Sequence, residues 1–250
     1  MLGIIVNADD FGLNERCTLA IAEAFKKGLI TDTTMVANGT YFEGATELSR
    51  KENFSDKIGI HFNITEGIPL TENIKKLSAF TENGEFHGKI NRLRMLSRAE
   101  KNAVYEEFSA QIKKIEAAGI NINHADSHHH IHTAIFIAPS ILKVCREHGI
   151  KKIRLHRNIG SISLLKKIVK RVYNDTLHRS GFITTRFFGS LEDLTVRKIS
   201  DDLEIMVHPD FDKNGSLIDR VDEVDGVPIG QALPDLSKMS NIKLTGYGEL

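Results

Sequence analysis

The chain has 250 residues, 41% of them hydrophobic and 26% charged, with Lys+Arg and Asp+Glu both at 33. That length fills one large core without splitting, and zero formal net charge excludes the basic excess of a nucleic-acid binder. Cys17 and Cys145 are too few and too far apart for a disulfide framework, and no apolar run approaches a membrane span.

Residues 3–6 are a continuous apolar run ending in Asn7-Ala8-Asp9-Asp10, the pattern of a strand buried on both faces. Asn14 caps a helix in which Leu19, Ala20, Ala24 and Phe25 recur at helical spacing, and Gly28 stops it. Strands are predicted over 33–37 and 57–62. A helix over 98–118 closes at Gly119, a strand covers 120–124, and a helix over 136–148 closes at Gly149. A strand over 152–155, a helix over 163–174 and strands over 203–207 and 242–247 complete the order. Both cysteines fall in helical patterns and read as small apolar side chains in a reducing, cytoplasmic setting. The N-terminal segment lacks the basic region of a signal peptide.

Strand–helix alternation implies parallel strands joined by crossover helices. So many units in one chain favour an α/β fold of the (β/α) TIM-like barrel type, a single domain over 1–250. Asp9, Asp10, His61, Asp126 with its histidines, Arg154 and His208 all fall at or just past the C-terminal end of a predicted strand. Those ends converge on one mouth in a barrel and on one edge in an open sheet.

Asn7-Ala8-Asp9-Asp10-Phe11-Gly12 puts two carboxylates side by side. Adjacent side chains of a strand face opposite ways, so both serve one site only if the strand bends or ends there. One carboxylate on a metal and one acting on water is a natural division, and an acidic introduction to the next helix is the plain alternative. His61 follows a strand and precedes a turn containing Gly67 and Pro69. Glu66 reads equally as a supporting acid or as surface charge.

The most specific segment is His124-Ala125-Asp126-Ser127-His128-His129-His130-Ile131-His132, with five of the chain's 11 histidines in nine residues. Imidazole is the commonest metal ligand near neutral pH. In an extended stretch His128, His130 and His132 share one face and His129 points away. An internal cluster flanked by Asp126 is neither a terminal tag nor a repeating storage tract. His208, fixed by Pro209, suits a general acid. A core histidine with a satisfied ring is the plain alternative, and without the other motifs it would be the better reading. Arg154 reads evenly as an anion binder or a structural ion pair. Carboxylate and imidazole ligands suit Mg, Mn or Zn, and three protein ligands leave positions open for water and substrate.

Together these segments, with Ile30-Thr31-Asp32-Thr33-Thr34, Gly59-Ile60-His61-Phe62, Thr65 and His208-Pro209, resemble the YdjC-type carbohydrate deacetylases, and within them the chitooligosaccharide (chitin disaccharide) deacetylases. The resemblance runs along nearly the whole chain. It implies a barrel-like deacetylase fold, hydrolysis of the N-acetyl group of an acetylated amino sugar to give acetate, a divalent metal (Mg by resemblance), and a homodimer. It further implies Asp10, His61 and His128 as metal ligands, Asp9 as base and His208 as acid. Asp126, His130, His132 and Arg154 would then support the site or line the substrate pocket. Gly248 departs from a commonly basic position, and residues 78–98 fit the pattern loosely. Two other readings are a metal-dependent phosphoesterase on a similar barrel and a non-catalytic sugar- or metal-binding protein. No Walker-type glycine loop supports the first, and the paired Asp9-Asp10 speaks against the second.

Overall fold

The computed structural model describes residues 2–160, 164–195, 201–220, 227–229 and 242–250. Its strands are β1 (Leu2–Phe11), β2 (Asp32–Met35), β3 (Ile58–Phe62), β4 (Thr81–Glu82), β5 (Glu85–Phe86), β6 (Ala125–Ser127), β7 (Phe187–Ser190), β8 (Leu203–Val207), β9 (Pro209–Phe211), β10 (Leu217–Asp219), β11 (Val227–Pro228) and β12 (Ile242–Leu244). The helices are α1 (Glu15–Lys26), α2 (Phe42–Lys51), α3 (Glu72–Lys75), α4 (Arg98–Ala117), α5 (Ala138–Glu147) and α6 (Leu164–Arg179).

Seven strands form one sheet in the order β6-β3-β2-β1-β8-β7, with β12 also paired to β1, and every pairing in it is parallel. β1 lies at its centre with Ile4, Val6 and Ala8 fully buried, as its unbroken apolar run requires. Isolated parallel bridges carry the pairing on from Ala125 to Ile153 and from Lys152 to Ile183. The sheet curls into a half-barrel, so the expected TIM-like barrel is met in part. Among the described residues there is no complete ring of eight staves.

Three predicted strands need correction. Residues 120–124 are not a strand; regular pairing starts at Ala125. Before it, Asn123 and His124 bond only toward β3, whereas Ala125 N–H donates to Lys152 O and its carbonyl accepts from Arg154 N, so neighbours exist on both sides. Residues 152–155 contribute single bridges rather than a strand. The final strand ends at Leu244, and Tyr247–Glu249 is a 3-10 turn. The helix predicted over 163–174 runs over α6 instead; Ser163 lies outside the described residues.

The helix ends follow the sequence signals. The Asn14 side chain accepts from Cys17 N, and Ser97 with Glu100 forms a reciprocal capping box at α4. α4 buries Val104, Phe108, Ile112 and Ile115 at helical spacing. Cys145 is fully buried and Cys17 half-buried. Phe108 meets Phe62 edge-on at 4.9 Å, directly beside His61 on β3. Phe108→Ala is expected to cost about 3–5 kcal/mol through the cavity it leaves. A urea midpoint unchanged from the wild type would contradict that packing. Among the described residues no helix is long and apolar enough to cross a membrane.

Candidate functional site

The two adjacent carboxylates face one mouth because β1 breaks its register. It pairs regularly with β2 at Asn7↔Asp32 and Ala8↔Thr33, then shifts before Phe11↔Met35. Asp10 sits in the left-handed region at φ 72°. A non-glycine residue there is held by its surroundings, and such positions gather at functional sites. The bend that sequence required of a shared site is therefore present. Asp9 and Asp10 are both buried.

Asp10 Oδ1 lies 2.7 Å from His128 Nδ1 and 3.2 Å from His61 Nε2. One oxygen and two ring nitrogens thus converge from β1, β3 and the turn after β6. The rear nitrogen of each ring faces another carboxylate: His61 Nδ1 is 2.6 Å from Asp126 Oδ1, and His128 Nε2 is 3.1 Å from Glu66 Oε2. Thr34 Oγ1 donates to Asp126 Oδ2 at 3.1 Å. Burial pushes both imidazoles down, but Asp126 and Asp10 push His61 up to about 10, and Asp10 with Glu66 pushes His128 up to about 9. The same histidines hold Asp10 well below the carboxylate range against its burial. The cluster is therefore rich in carboxylate. Asp9, Asp10, Asp126 and Glu204 are all buried around one guanidinium, Arg154, so in the absence of a metal the two imidazoles must carry protons to offset the carboxylates. A dication on Asp10, His61 and His128 would take the place of those two protons, and one carboxylate oxygen with two imidazole nitrogens is the donor set of a divalent site.

Arg154, fully buried, is the hub of the second cluster. Its Nη1 and Nη2 donate to Asp9 Oδ2 at 2.6 Å and Oδ1 at 2.7 Å, a bidentate clamp. Its Nη1 also lies 2.6 Å from Asp126 Oδ2, and its Nε donates to Glu204 Oε1 at 2.7 Å. Asn7 Nδ2 adds a 2.9 Å bond to Asp9 Oδ1. Burial pushes Asp9 up, yet Arg154, His61 and His208 outweigh it and hold the carboxyl well below its usual range.

The extended histidine face expected from sequence does not form. Residues His128–Thr133 make a 3-10 turn in which His129 (φ 49°) and His130 (φ 52°) are left-handed. The turn sends the rings apart instead of alternating them. His129 Nδ1 is 3.1 Å from Thr65 Oγ1, the His130 ring lies 6.1 Å from Phe188, and buried His132 meets Ser127 Oγ through Nδ1 at 2.6 Å. Only His128 of the expected trio reaches Asp10. Burial first, then Arg154, pushes His130 down to about 3, so it is neutral. His208 is partly exposed, with Nε2 4.0 Å from Asp9 Oδ2, and its backbone N–H donates to Asp219 Oδ1 at 2.7 Å. Asp9, Asp10, His61, His128, His130 and His208 line one cavity of about 1040 Å³, roomy enough for a small sugar.

A family model described as YdjC-like protein matches residues 3–234. The chain belongs to the YdjC-like family. Carbohydrate deacetylase 1 of Listeria innocua is 31% identical to it over 211 residues, covering 83% of this chain and 81% of its own. The carbohydrate deacetylase of Clostridium beijerinckii is 32% identical over 208 residues, with the same coverage. A crystal structure from Enterococcus faecalis, of a candidate cellobiose-phosphate cleavage protein, superposes with a TM-score of 0.73 at 25% identity and covers 99% of this chain and 98% of its own. The lactam utilization protein of Thermus thermophilus shares the fold alone, with a TM-score of 0.52 at 11% identity over 98% of this chain and 100% of its own.

Sequence reasoning missed several partners in this YdjC-like site. Asn7, Thr34, Glu204 and Tyr247 are buried polar groups tied to the site residues, and Glu66, left undecided, faces His128. Glu204 alone gave a signal: a carboxylate inside Leu203-Glu204-Ile205-Met206-Val207 must be paired if that strand is buried.

Proposed function

We propose that this YdjC-like chain is a metal-dependent carbohydrate deacetylase that removes the N-acetyl group from acetylated amino sugars such as chitooligosaccharides. The observation that carries it is the convergence of Asp10, His61 and His128 beside an arginine-clamped Asp9 on one cavity floor. The names of the relatives supply the reaction class.

Asp10, His61 and His128 would hold the cation, with Mg the first choice and Zn or Mn compatible. A divalent ion there supplies Lewis-acid polarisation of the amide carbonyl and a bound water of lowered pKa. Asp9, ionised and fixed by Arg154 and Asn7, takes the proton of the attacking water. Arg154 also pairs with Asp126 and Glu204, so its one charge is shared among three carboxylates while its fork fixes the direction in which the Asp9 oxygens point. His208 gives a proton to the leaving sugar nitrogen. Asp126 and Glu66 fix the rear nitrogens of the two ligand rings. His130 lines the sugar cavity, and His132 packs beneath the turn that carries His128.

The test is acetate release from N-acetylated sugars, diacetylchitobiose first, with and without chelator. Acetate that appears only with metal supports the reading; acetate release indifferent to complete chelation, or no release from any N-acetylated sugar, overturns it. One ion per chain is expected, and two would point to phosphoester chemistry instead.

A pH dependence follows from the metal-free imidazoles. Their folded values, about 10 for His61 and about 9 for His128, lie above the ordinary 6.5, so at neutral pH both rings carry a proton. That stabilises the metal-free fold below about 6.5 and is lost as pH rises through about 9 to 10. Metal needs the unprotonated nitrogens, so its affinity is expected to rise with pH up to that window. Calorimetry at pH 7 in buffers of different ionisation enthalpy is expected to count close to two protons released. Zero release would contradict ligation by these rings.

A further inference from the structure

We propose that Tyr247 is a positioning residue for the reaction, holding from behind both side chains that grip Asp9. This rests on the deacetylase reading above. Tyr247 is fully buried in the turn after β12. Its backbone is fastened at the foot of the sheet: its N–H donates to Asp32 Oδ1 at 3.1 Å, and its carbonyl accepts from Lys152 Nζ. From that anchor two routes run to Asp9.

The first is a chain of charged bonds. The Tyr247 hydroxyl donates to Glu204 Oε2 at 2.6 Å, and Glu204 Oε1 accepts from the Nε of Arg154 at 2.7 Å. Arg154 then clamps both oxygens of Asp9. Glu204 is fully buried, and these are its two polar partners among the hydrogen bonds described. Removing the hydroxyl leaves one carboxylate oxygen without a donor, a costly state for a buried acid. The carboxyl is then free to turn or take up a proton, and either changes how much of Arg154 is left for Asp9. Burial already pushes Glu204 up to about 7, so its charge depends on the phenol and the guanidinium.

The second route is packing. The Tyr247 ring stacks on His124 at 3.8 Å and 11° between planes. His124 Nε2 lies 2.9 Å from Asn7 Oδ1, and Asn7 Nδ2 donates to Asp9 Oδ1. The other face of His124 rests on Gly59, where a Cβ would fall 2.5 Å from the ring. His124 is thus fixed between a bare backbone and the tyrosine, which sets where Asn7 points. Arg154 also meets Asp126 and Asn7 also meets Thr34, both of which face His61 Nδ1, but neither route itself passes through Asp10, His61 or His128.

Tyr247→Phe removes the hydroxyl and keeps the stack. Its kcat for acetate release is expected to fall about tenfold, the scale of groups that orient a reacting side chain, while KM and metal affinity stay within about twofold. Glu204→Gln keeps the shape of the first route and is expected to behave alike, which covers poor folding of the tyrosine variant. In an Asp9→Asn background, Tyr247→Phe is expected to add no further loss, because its effect passes through Asp9. A kcat within about twofold of wild type overturns the proposal. So do a fall in metal affinity that follows a lowered Tm, and a full additional loss in the Asp9→Asn background. A wild-type enzyme that releases no acetate from any N-acetylated sugar overturns the deacetylase reading itself and is scored separately.

Discussion

His128→Ala is expected to lose both metal and acetate release. His128 Nδ1 is the nitrogen nearest Asp10 Oδ1, at 2.7 Å, and its ring has no substitute: His129 turns to Thr65 and His130 toward Phe188. Residues that merely support a ligand cost about 10–100-fold in metal affinity, so deletion of the ligand itself is expected to exceed about a hundredfold. Asp126→Asn falls in that supporting range, since it loosens the rear of His61 without removing a ligand. Isothermal titration of the metal into each variant, with acetate release alongside, gives the ranking. A His128→Ala enzyme that binds metal like wild type would remove His128 from the site.

The parts of this site that sequence revealed are those whose position follows from strand order. β1, β3 and the start of β6 are parallel neighbours or near-neighbours, so residues at their C-terminal ends must meet. That places Asp10, His61 and Asp126 together before any side chain is positioned. The fold was legible for the same reason, in alternating apolar runs, the Asn14 cap and the glycine stops at Gly28 and Gly119. What stayed hidden depends on single backbone angles or on distant pairing. Nothing in His128-His129-His130 announces two consecutive left-handed residues, and propensity argues against them. An extended reading therefore spread the histidines on alternating faces, where the real turn separates them. Glu66 was undecided because its partner, His128, is 62 positions away. Residues 152–155 were read as a strand from their apolar residues, yet Arg154 is the most consequential group there and its backbone supplies only isolated bridges.

Asp9→Asn separates proton transfer from metal binding. Asp9 touches neither imidazole directly among the hydrogen bonds described, so the ligand set of Asp10, His61 and His128 should survive the change, and metal affinity should stay near wild type. Turnover is expected to fall by about 10²–10⁴-fold, the contribution of a positioned general base. The fold should tolerate it, because Arg154 keeps Asp126 and Glu204 as counter-charges and is not left as an unpaired buried cation. An asparagine still accepts one of the two guanidinium bonds, so the loss reports the missing basic oxygen more than a missing contact. Three measurements on one variant settle the role: kcat, metal affinity and Tm. If turnover persists at the wild-type level with metal bound, Asp9 is not the base; if metal is lost as well, Asp9 belongs to the cage that holds it.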